Sequence, residues 1–122
     1  MRYLPILIVA TTLFTACDKR VQSPDNFAIS EYEAKDHVGE DAVVSGTVLR
    51  LYIDSKNTNV YMYFDSDIFH PTFAAVWPGS NNPPVKVLKG FILKAETIAV
   101  SGKIITEKDV PEIIVGSWAQ IN

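Results

Sequence analysis

Cysteine is almost absent: Cys17 is the single thiol among 122 residues. This excludes an intrachain disulfide and a cysteine-based zinc site. The two histidines, His37 and His70, form no H-E-x-x-H motif, and His37 next to Asp36 on a helical turn would point to a different face. The sequence also has no G-x-S-x-G, G-x-G-x-x-G or Walker pattern. We therefore expect no enzymatic activity, no metal and no cofactor.

Basic residues are few. Eleven Lys and Arg face fourteen Asp and Glu, a net charge of −3. Removal of residues 1–16 would take away only Arg2, leaving ten basic and fourteen acidic side chains, a charge of −4. Sequence-independent binding of nucleic acid needs many Lys or Arg contacts to phosphates, so this balance argues against it while leaving room for a local basic patch.

A hydrophobic run of membrane-spanning length is missing too, because Leu4 to Phe14 covers about eleven residues and a bilayer needs roughly twenty. That run is typical of a secretory signal, with Arg2 before it and the small Thr15 and Ala16 after it. Ending in "LFTAC", it resembles the lipobox of bacterial lipoproteins, although Phe14 stands where the family favours Leu. The resemblance implies that Cys17 receives a diacylglycerol and becomes the first mature residue. The alternative is an ordinary core strand with a buried thiol.

The residues after Cys17 imply a location. Asp18 resembles the signal that keeps Gram-negative lipoproteins at the inner membrane, and the outer membrane stays open as an alternative. Residues 18–29 are polar and interrupted by Pro24, as in a short tether. We therefore predict a signal peptide at 1–16, a lipidated cysteine and tether at 17–29, and a folded domain at 30–122, anchored on the periplasmic side of a bacterial membrane.

The folded part is predicted to be all-β with little helix. Ser30 and Glu33 fit a capping box that begins one or two helical turns. Pro84 favours a short helix over 85–93. Five segments have strand character, and the first is long enough to need a bulge at Gly46. These segments are 41–53, 60–65, 68–77, 97–106 and the "IIVGSWAQI" that follows Pro111 and Glu112.

Five short strands with a helix between the third and fourth predict a Greek-key OB-fold barrel, which leaves few exposed strand edges. The stretches "EAKDHVGEDAVVSGTV", "VYMYFD", "HPTFAAVW", "TIAVSGKI" and "PEIIVGSWAQI" resemble, in that order, the bacterial OB-fold family related to tRNA-anticodon-type nucleic-acid-binding domains. The resemblance covers roughly residues 33–121 and departs at 78–96. It implies the OB-fold and binding of an oligonucleotide.

OB-folds bind on the face of strands two and three, between the loops that join strands one to two and four to five. There we predict a ligand platform of aromatic and basic side chains. Its members are Tyr61, Tyr63, Tyr52, Arg50, Lys56 in the first loop, and Lys103 with Lys108 beside the second. The alternative is that tyrosine is simply a good strand residue. Trp77 and Trp118 are predicted to pack in the core or at the barrel end.

Two functions follow. The first is a lipid-anchored envelope binding module without catalysis, whose partner is an envelope protein, a peptide or a glycan. The second is an oligonucleotide-binding protein that uses the same face, which compartment and charge disfavour. An accessory or stabilising subunit of an enzyme cannot be separated from the first by sequence.

Overall fold

In the computed structural model, residues 28–122 are described. The predicted signal peptide, Cys17 and the tether up to residue 27 lie outside the described residues. Within residues 28–122, no helix has both the length and the apolar character needed to cross a membrane.

The described chain is mostly β with few helices, which confirms the all-β class, but it has seven strands rather than five. The strands are β1 (Ile29–Ser30), β2 (Asp41–Thr47), β3 (Arg50–Ile53), β4 (Val60–Tyr63), β5 (Ala74–Trp77), β6 (Thr97–Glu107) and β7 (Val110–Ile114). One α-helix, α1 (Val85–Leu93), and three short 3-10 helices (Glu31–Asp36, Gly79–Asn81 and Trp118–Gln120) complete the domain.

All seven strands belong to one sheet in the order β1-β2-β6-β7-β5-β4-β3. Two neighbouring pairs, β1 with β2 and β5 with β7, are parallel, and the other pairs are antiparallel. The strands β2 and β3 are separated by only Val48 and Leu49, yet β2 pairs with β6 and β3 pairs with β4. The sequence predicted five strands closed into a barrel, whereas the observed strand pairing forms one sheet of seven strands.

The extra strands have simple causes. Ile29 and Ser30, at the end of the predicted tether and the start of the domain, add β1 beside Val44 and Ser45. The long predicted strand 41–53 breaks in two at Val48 and Leu49. Val48 is buried in the core and Leu49 is exposed. The point at which the apolar residues of this segment change from one face to the other therefore lies at Val48 and Leu49, not at Gly46.

Gly46 serves close packing instead. A Cβ at this position would lie 2.5 Å from Cδ2 of Phe64 and 3.1 Å from Oε1 of Glu31. Real side chains do not approach so closely, so any larger residue would push the Phe64 ring out of the core.

The next strand follows the predicted alternation: Val60, Met62 and Phe64 are buried in the core. The predicted strand 68–77 is wrong in its first half, because only Ala74–Trp77 forms β5. The Asp67 carboxylate accepts the backbone N–H groups of Phe69 (2.9 Å) and His70 (3.0 Å), which holds that stretch in a turn.

The last strand is also displaced from its predicted position. It runs from Val110 to Ile114, and Trp118–Gln120 forms a 3-10 turn rather than strand. Trp118 packs edge-on against Trp77 with ring centroids 5.0 Å apart. This agrees with the packing role predicted for both tryptophans.

Both predicted helical elements are confirmed. The 3-10 helix Glu31–Asp36 begins at Ser30, whose backbone N–H donates to Oε1 of Glu33 at 2.9 Å. The helix α1 has the predicted bounds 85–93 and buries Leu88. The core between sheet and helix leaves the opposite face of β4 and β5 free to form a site.

Candidate ligand-binding site

The outward face of β3, β4 and β5 carries tyrosines beside small residues. Pairing places Tyr52 opposite Tyr61 and Arg50 opposite Tyr63. On the neighbouring strand, Ala74 and Val76 are small and completely or almost completely buried. Tyr61 packs with these two residues in a second hydrophobic cluster and is only 9% exposed, because a large ring next to small side chains lies down on the sheet.

The rings form an ordered wall. Tyr61 and Tyr63 are nearly parallel, at 11°, with centroids 6.1 Å apart. Tyr52 lies 5.9 Å from Tyr61 and is half exposed. The Arg50 guanidinium carbon sits 4.0 Å from the centroid of the Tyr63 ring, a cation–π contact. Three aromatic surfaces are thus held in fixed positions by strand pairing.

A cleft of about 230 Å³ opens beside this wall. Tyr52, Tyr61 and Tyr63 line it together with Glu107, Lys108, Val110 and Glu112. Asp54 and Asn57, from the turn between β3 and β4, also line it. We call it the tyrosine–glutamate cleft. It is the face between the two loops on which the sequence predicts binding.

Glu112 is the unusual residue of the cleft. It lies in the middle of the sheet, opposite Ala74 of β5 and Ile105 of β6, and is only 4% exposed. Burial, and then the nearby Glu107 carboxyl, raise the pKa of Glu112 to about 8. A carboxyl with this pKa is mostly protonated at neutral pH.

The tyrosine hydroxyls of the cleft are neutral donors. Desolvation by burial raises the pKa of both Tyr61 and Tyr63 above the ordinary tyrosine value. The Tyr61 hydroxyl donates to Oε1 of Glu107 at 3.3 Å and so spans from β4 to the end of β6. The arrangement offers ring faces, hydroxyl donors and carboxyl acceptors within one cleft.

The predicted site residues divide into two groups. Tyr52, Tyr61 and Tyr63 line the cleft together, and Arg50 covers the Tyr63 ring. Lys108 also lines the cleft. The other two are not among the lining residues: Lys56 is in the adjacent turn, its backbone N–H donating to Asp54 Oδ1 at 2.8 Å, and Lys103 pairs with Asp41 where β6 meets β2.

Sequence reasoning missed the two glutamates. Neither belongs to the predicted platform, and Glu112 enters the sequence analysis only within the stretch "PEIIVGSWAQI". The alternation of β7 could have indicated an outward Glu112, but its burial depends on rings contributed by β4, about fifty residues earlier in the chain. No pattern local to β7 contains that information.

A second carboxyl pair lies away from the cleft. Thr72 Oγ1 is 2.9 Å from Glu31 Oε2 and 2.8 Å from Asp65 Oδ2, and the Thr72 backbone N–H donates to the same Asp65 oxygen at 2.9 Å. We call these residues the Thr72 cluster. His37 instead contacts exposed Glu40 through Nδ1 at 3.0 Å, and within residues 28–122 no group of three or more His, Cys, Asp or Glu is arranged to hold a metal.

Comparisons with known proteins concern the fold. No protein-family model matches the sequence, and no curated protein matches it. Among solved structures, a putative aspartyl-tRNA synthetase from Leishmania major Friedlin is similar with a TM-score of 0.50 and 11% identity, over 97% of this chain and 22% of the synthetase chain. This chain therefore spans about a fifth of that relative, and at this identity the likeness shows the fold alone.

Two OBodies, each bound to hen egg-white lysozyme, are also similar in structure. OBody AM2EP06 has a TM-score of 0.46 and 13% identity, over 73% of this chain and 87% of its own. OBody AM1L10 has a TM-score of 0.46 and 16% identity, over 79% of this chain and 90% of its own.

Proposed function

We propose that the chain is a lipid-anchored, non-enzymatic binding module of the bacterial cell envelope, with an envelope protein, a peptide or a glycan as its ligand. Residues 1–16 direct export, Cys17 carries the diacylglycerol, and the tether holds the domain near the membrane. Support for the anchor comes from the sequence at 13–17, where small residues and a cysteine follow a short apolar run. Two or more acyl chains give stable membrane attachment.

The domain is a five-stranded OB-fold barrel in this proposal. Taken as one bent strand, β2 and β3 join the two sides of the sheet, since one pairs with β6 and the other with β4. The remaining strands are β4, β5, β6 and β7, and α1 lies between β5 and β6 as the fold requires. The similarity to part of the synthetase is in keeping with this architecture.

The observation that carries the binding role is the tyrosine–glutamate cleft, a concave site with three ordered rings and converging polar groups. Its place between the β3–β4 turn and the β6–β7 turn matches the binding face of OB-folds. Clefts of this composition suit ligands that stack and accept several hydrogen bonds, as peptides and sugars do.

An oligonucleotide is the second candidate, favoured by the parallel rings of Tyr61 and Tyr63, on which bases could stack. Charge opposes it, because the carboxylates of Asp54 and Glu107 line the same cleft and repel phosphates.

The test is photo-crosslinking in the native envelope with the full-length protein, comparing Tyr52→Ala with Tyr32→Ala. Both tyrosines are largely exposed, but only Tyr52 lines the cleft. We expect Tyr52→Ala to remove the crosslinked partner and Tyr32→Ala to retain it. Equal capture by both variants would contradict binding at this cleft, and steeply salt-dependent binding of a fluorescent single strand would favour the oligonucleotide.

The anchor is tested separately with Cys17→Ser. We expect this variant to incorporate no labelled fatty acid and to leave the membrane fraction. Unchanged membrane association would contradict the anchor.

A further inference from the structure

The Glu112 carboxyl is buried in the cleft. Within residues 28–122, Glu112 is only 4% exposed, its side chain lines the cleft, and the charged group that acts on it is the carboxyl of Glu107. The Tyr61 hydroxyl donates to Glu107 and not to Glu112. A carboxyl with so little solvent around it is costly for the fold, and a cation that donated to it would lower that cost.

We propose that the tyrosine–glutamate cleft binds an organic cation, the alkylammonium or guanidinium group of a Lys or Arg side chain in a peptide ligand. This inference rests on the proposed function and names the ligand chemistry of its site. The cationic head donates to the carboxyls of Glu112 and Glu107, while the methylene stem lies along the tyrosine rings.

The walls of the cleft favour an organic cation over a metal ion. A hard metal ion takes six or more oxygen ligands, whereas three of the residues that line this cleft are tyrosines. Ring faces attract ammonium and guanidinium groups, and they also cover an aliphatic stem. The carboxyls of Glu107 and Glu112, in the same cleft, supply charge-assisted hydrogen bonds.

The same face already holds one guanidinium in this way. Arg50 lies 4.0 Å over the Tyr63 ring, with its Nη2 3.5 Å from the Asp67 backbone oxygen. An internal cation thus shows that tyrosines of this wall accept a guanidinium on their faces. The ligand's cation would occupy the adjoining space between Tyr61 and Glu112.

Cation binding should release a proton. The charged and titratable groups around Glu112 are Glu107 from β6, Tyr61 and Tyr63 from β4, Tyr52 and Arg50 from β3, Lys108 from the β6–β7 turn and Asp54 from the β3–β4 turn. Burial and Glu107 keep Glu112 protonated at neutral pH, and a bound cation favours its ionised form. The complex therefore forms more weakly as pH falls below neutrality.

The experiment uses the full-length protein in detergent micelles and titrates it by calorimetry with the peptide acetyl-Gly-Lys-Gly-amide. The matched control replaces lysine by norleucine, which keeps the stem and removes the charge. A third arm uses butylammonium chloride, which separates a free amine from a peptide source. We expect the lysine peptide to bind at least about tenfold more tightly than the norleucine peptide. Buffers of different ionisation enthalpy should report proton release at pH 7.

Two variants locate the effect. Glu112→Gln should weaken the lysine peptide about tenfold and abolish proton release, whereas Glu40→Gln, exposed and outside the cleft, should change neither. Equal affinity of the lysine and norleucine peptides, or unchanged binding by Glu112→Gln, overturns the inference. Butylammonium affinity equal to that of the peptide also overturns it, because the site would then recognise a free amine.

Failure of this inference is distinguishable from failure of the proposed function. If a neutral ligand is captured in a Tyr52-dependent way while the lysine peptide does not bind, the binding module stands and the cation is rejected. If the lysine peptide binds but envelope crosslinking ignores Tyr52→Ala, the cleft chemistry stands and the proposed function fails.

Discussion

Two carboxyl pairs in this domain each contain one buried glutamate, but they differ in the hydrogen-bond donors that reach them. Glu31 and Asp65 are bridged by Thr72, which supplies a hydroxyl and a backbone N–H. Glu107 and Glu112 receive one hydroxyl, from Tyr61, and it goes to the exposed member. Burial raises the pKa of both Glu31 and Glu112, but the Thr72 hydrogen bond partly offsets it for Glu31. The Thr72 cluster thus receives a hydroxyl and an N–H group, although Asp65 Oδ1 is buried without a partner, whereas the cleft pair receives one hydroxyl.

The largest expected effect comes from Glu112→Gln. The raised pKa means that the folded state binds a proton which the unfolded chain releases above pH 4.5, so Glu112 lowers stability progressively from about pH 4.5 to about pH 8. The variant should unfold with a free energy higher by on the order of a few kcal/mol at pH 9 and almost unchanged at pH 4. Urea unfolding across pH measures this.

Glu31→Gln is the matched control for that experiment. Burial raises the folded-state pKa of Glu31, but the hydrogen bond from Thr72 offsets part of this rise. The pH profile of Glu31→Gln should therefore stay closer to that of the parent protein. Identical pH profiles for Glu31→Gln and Glu112→Gln would contradict the expected difference between the two carboxyl pairs.

Thr72→Val should make the Thr72 cluster resemble the cleft pair. The change keeps the shape and removes the hydroxyl between Glu31 and Asp65, which should destabilise the protein by about 2 kcal/mol at pH 7. Thr106→Val, on an exposed strand position, should stay within about 0.5 kcal/mol of the parent in the same urea titration. A neutral Thr72→Val would show that the cluster does not depend on its donor.

Tyr61→Phe tests the one donor of the cleft pair. It removes the hydroxyl that reaches Glu107 but keeps the buried ring, so we expect a loss of about 1 kcal/mol or less, because water can replace the bond at exposed Glu107. Thermal unfolding beside Tyr32→Phe measures it. A much larger loss would mean that the fold itself satisfies the cleft pair.

His37→Gln should have the smallest effect. Its hydrogen bond to Glu40 raises the pKa of His37, but both side chains are well exposed to solvent. Any stabilisation is present below the ordinary histidine pKa and lost as pH rises through the raised one. We expect no measurable change in the urea midpoint at pH 5 or 8, since exposed pairs contribute little. A clear shift of the midpoint at pH 5 would show that this exposed pair contributes to the free energy of unfolding.

Local signals in the sequence predicted the local structure well. Pro84 indicated the helix α1 over 85–93, and Ser30 with Glu33 indicated the first helical turn. The alternation of Val60, Met62 and Phe64 predicted which side of β4 is core. Each of these depends on residues within a few positions of one another.

Features set by distant partners could not be predicted. Gly46 suggested a bulge, but a glycine is needed there because the Phe64 ring leaves no room for a Cβ. The turn at 66–70 is an exception, because Asp67 accepts N–H groups only two and three residues further on, a local signal that the predicted strand 68–77 overlooked. Strand alternation predicts that Tyr61 and Tyr63 lie on the face opposite the core, whereas the burial of Glu112 depends on residues from other strands.

The strand β1 gives the domain a mechanical property. Within residues 28–122 it pairs with β2 through Ile29 and Ser30, so a pull applied at Ala28 loads this two-residue contact first. We expect β1 to detach at low force while β2 remains paired with β6 over seven residue pairs. The chain would then lengthen by about 7 Å, the span of two extended residues, while the rest of the sheet stays folded.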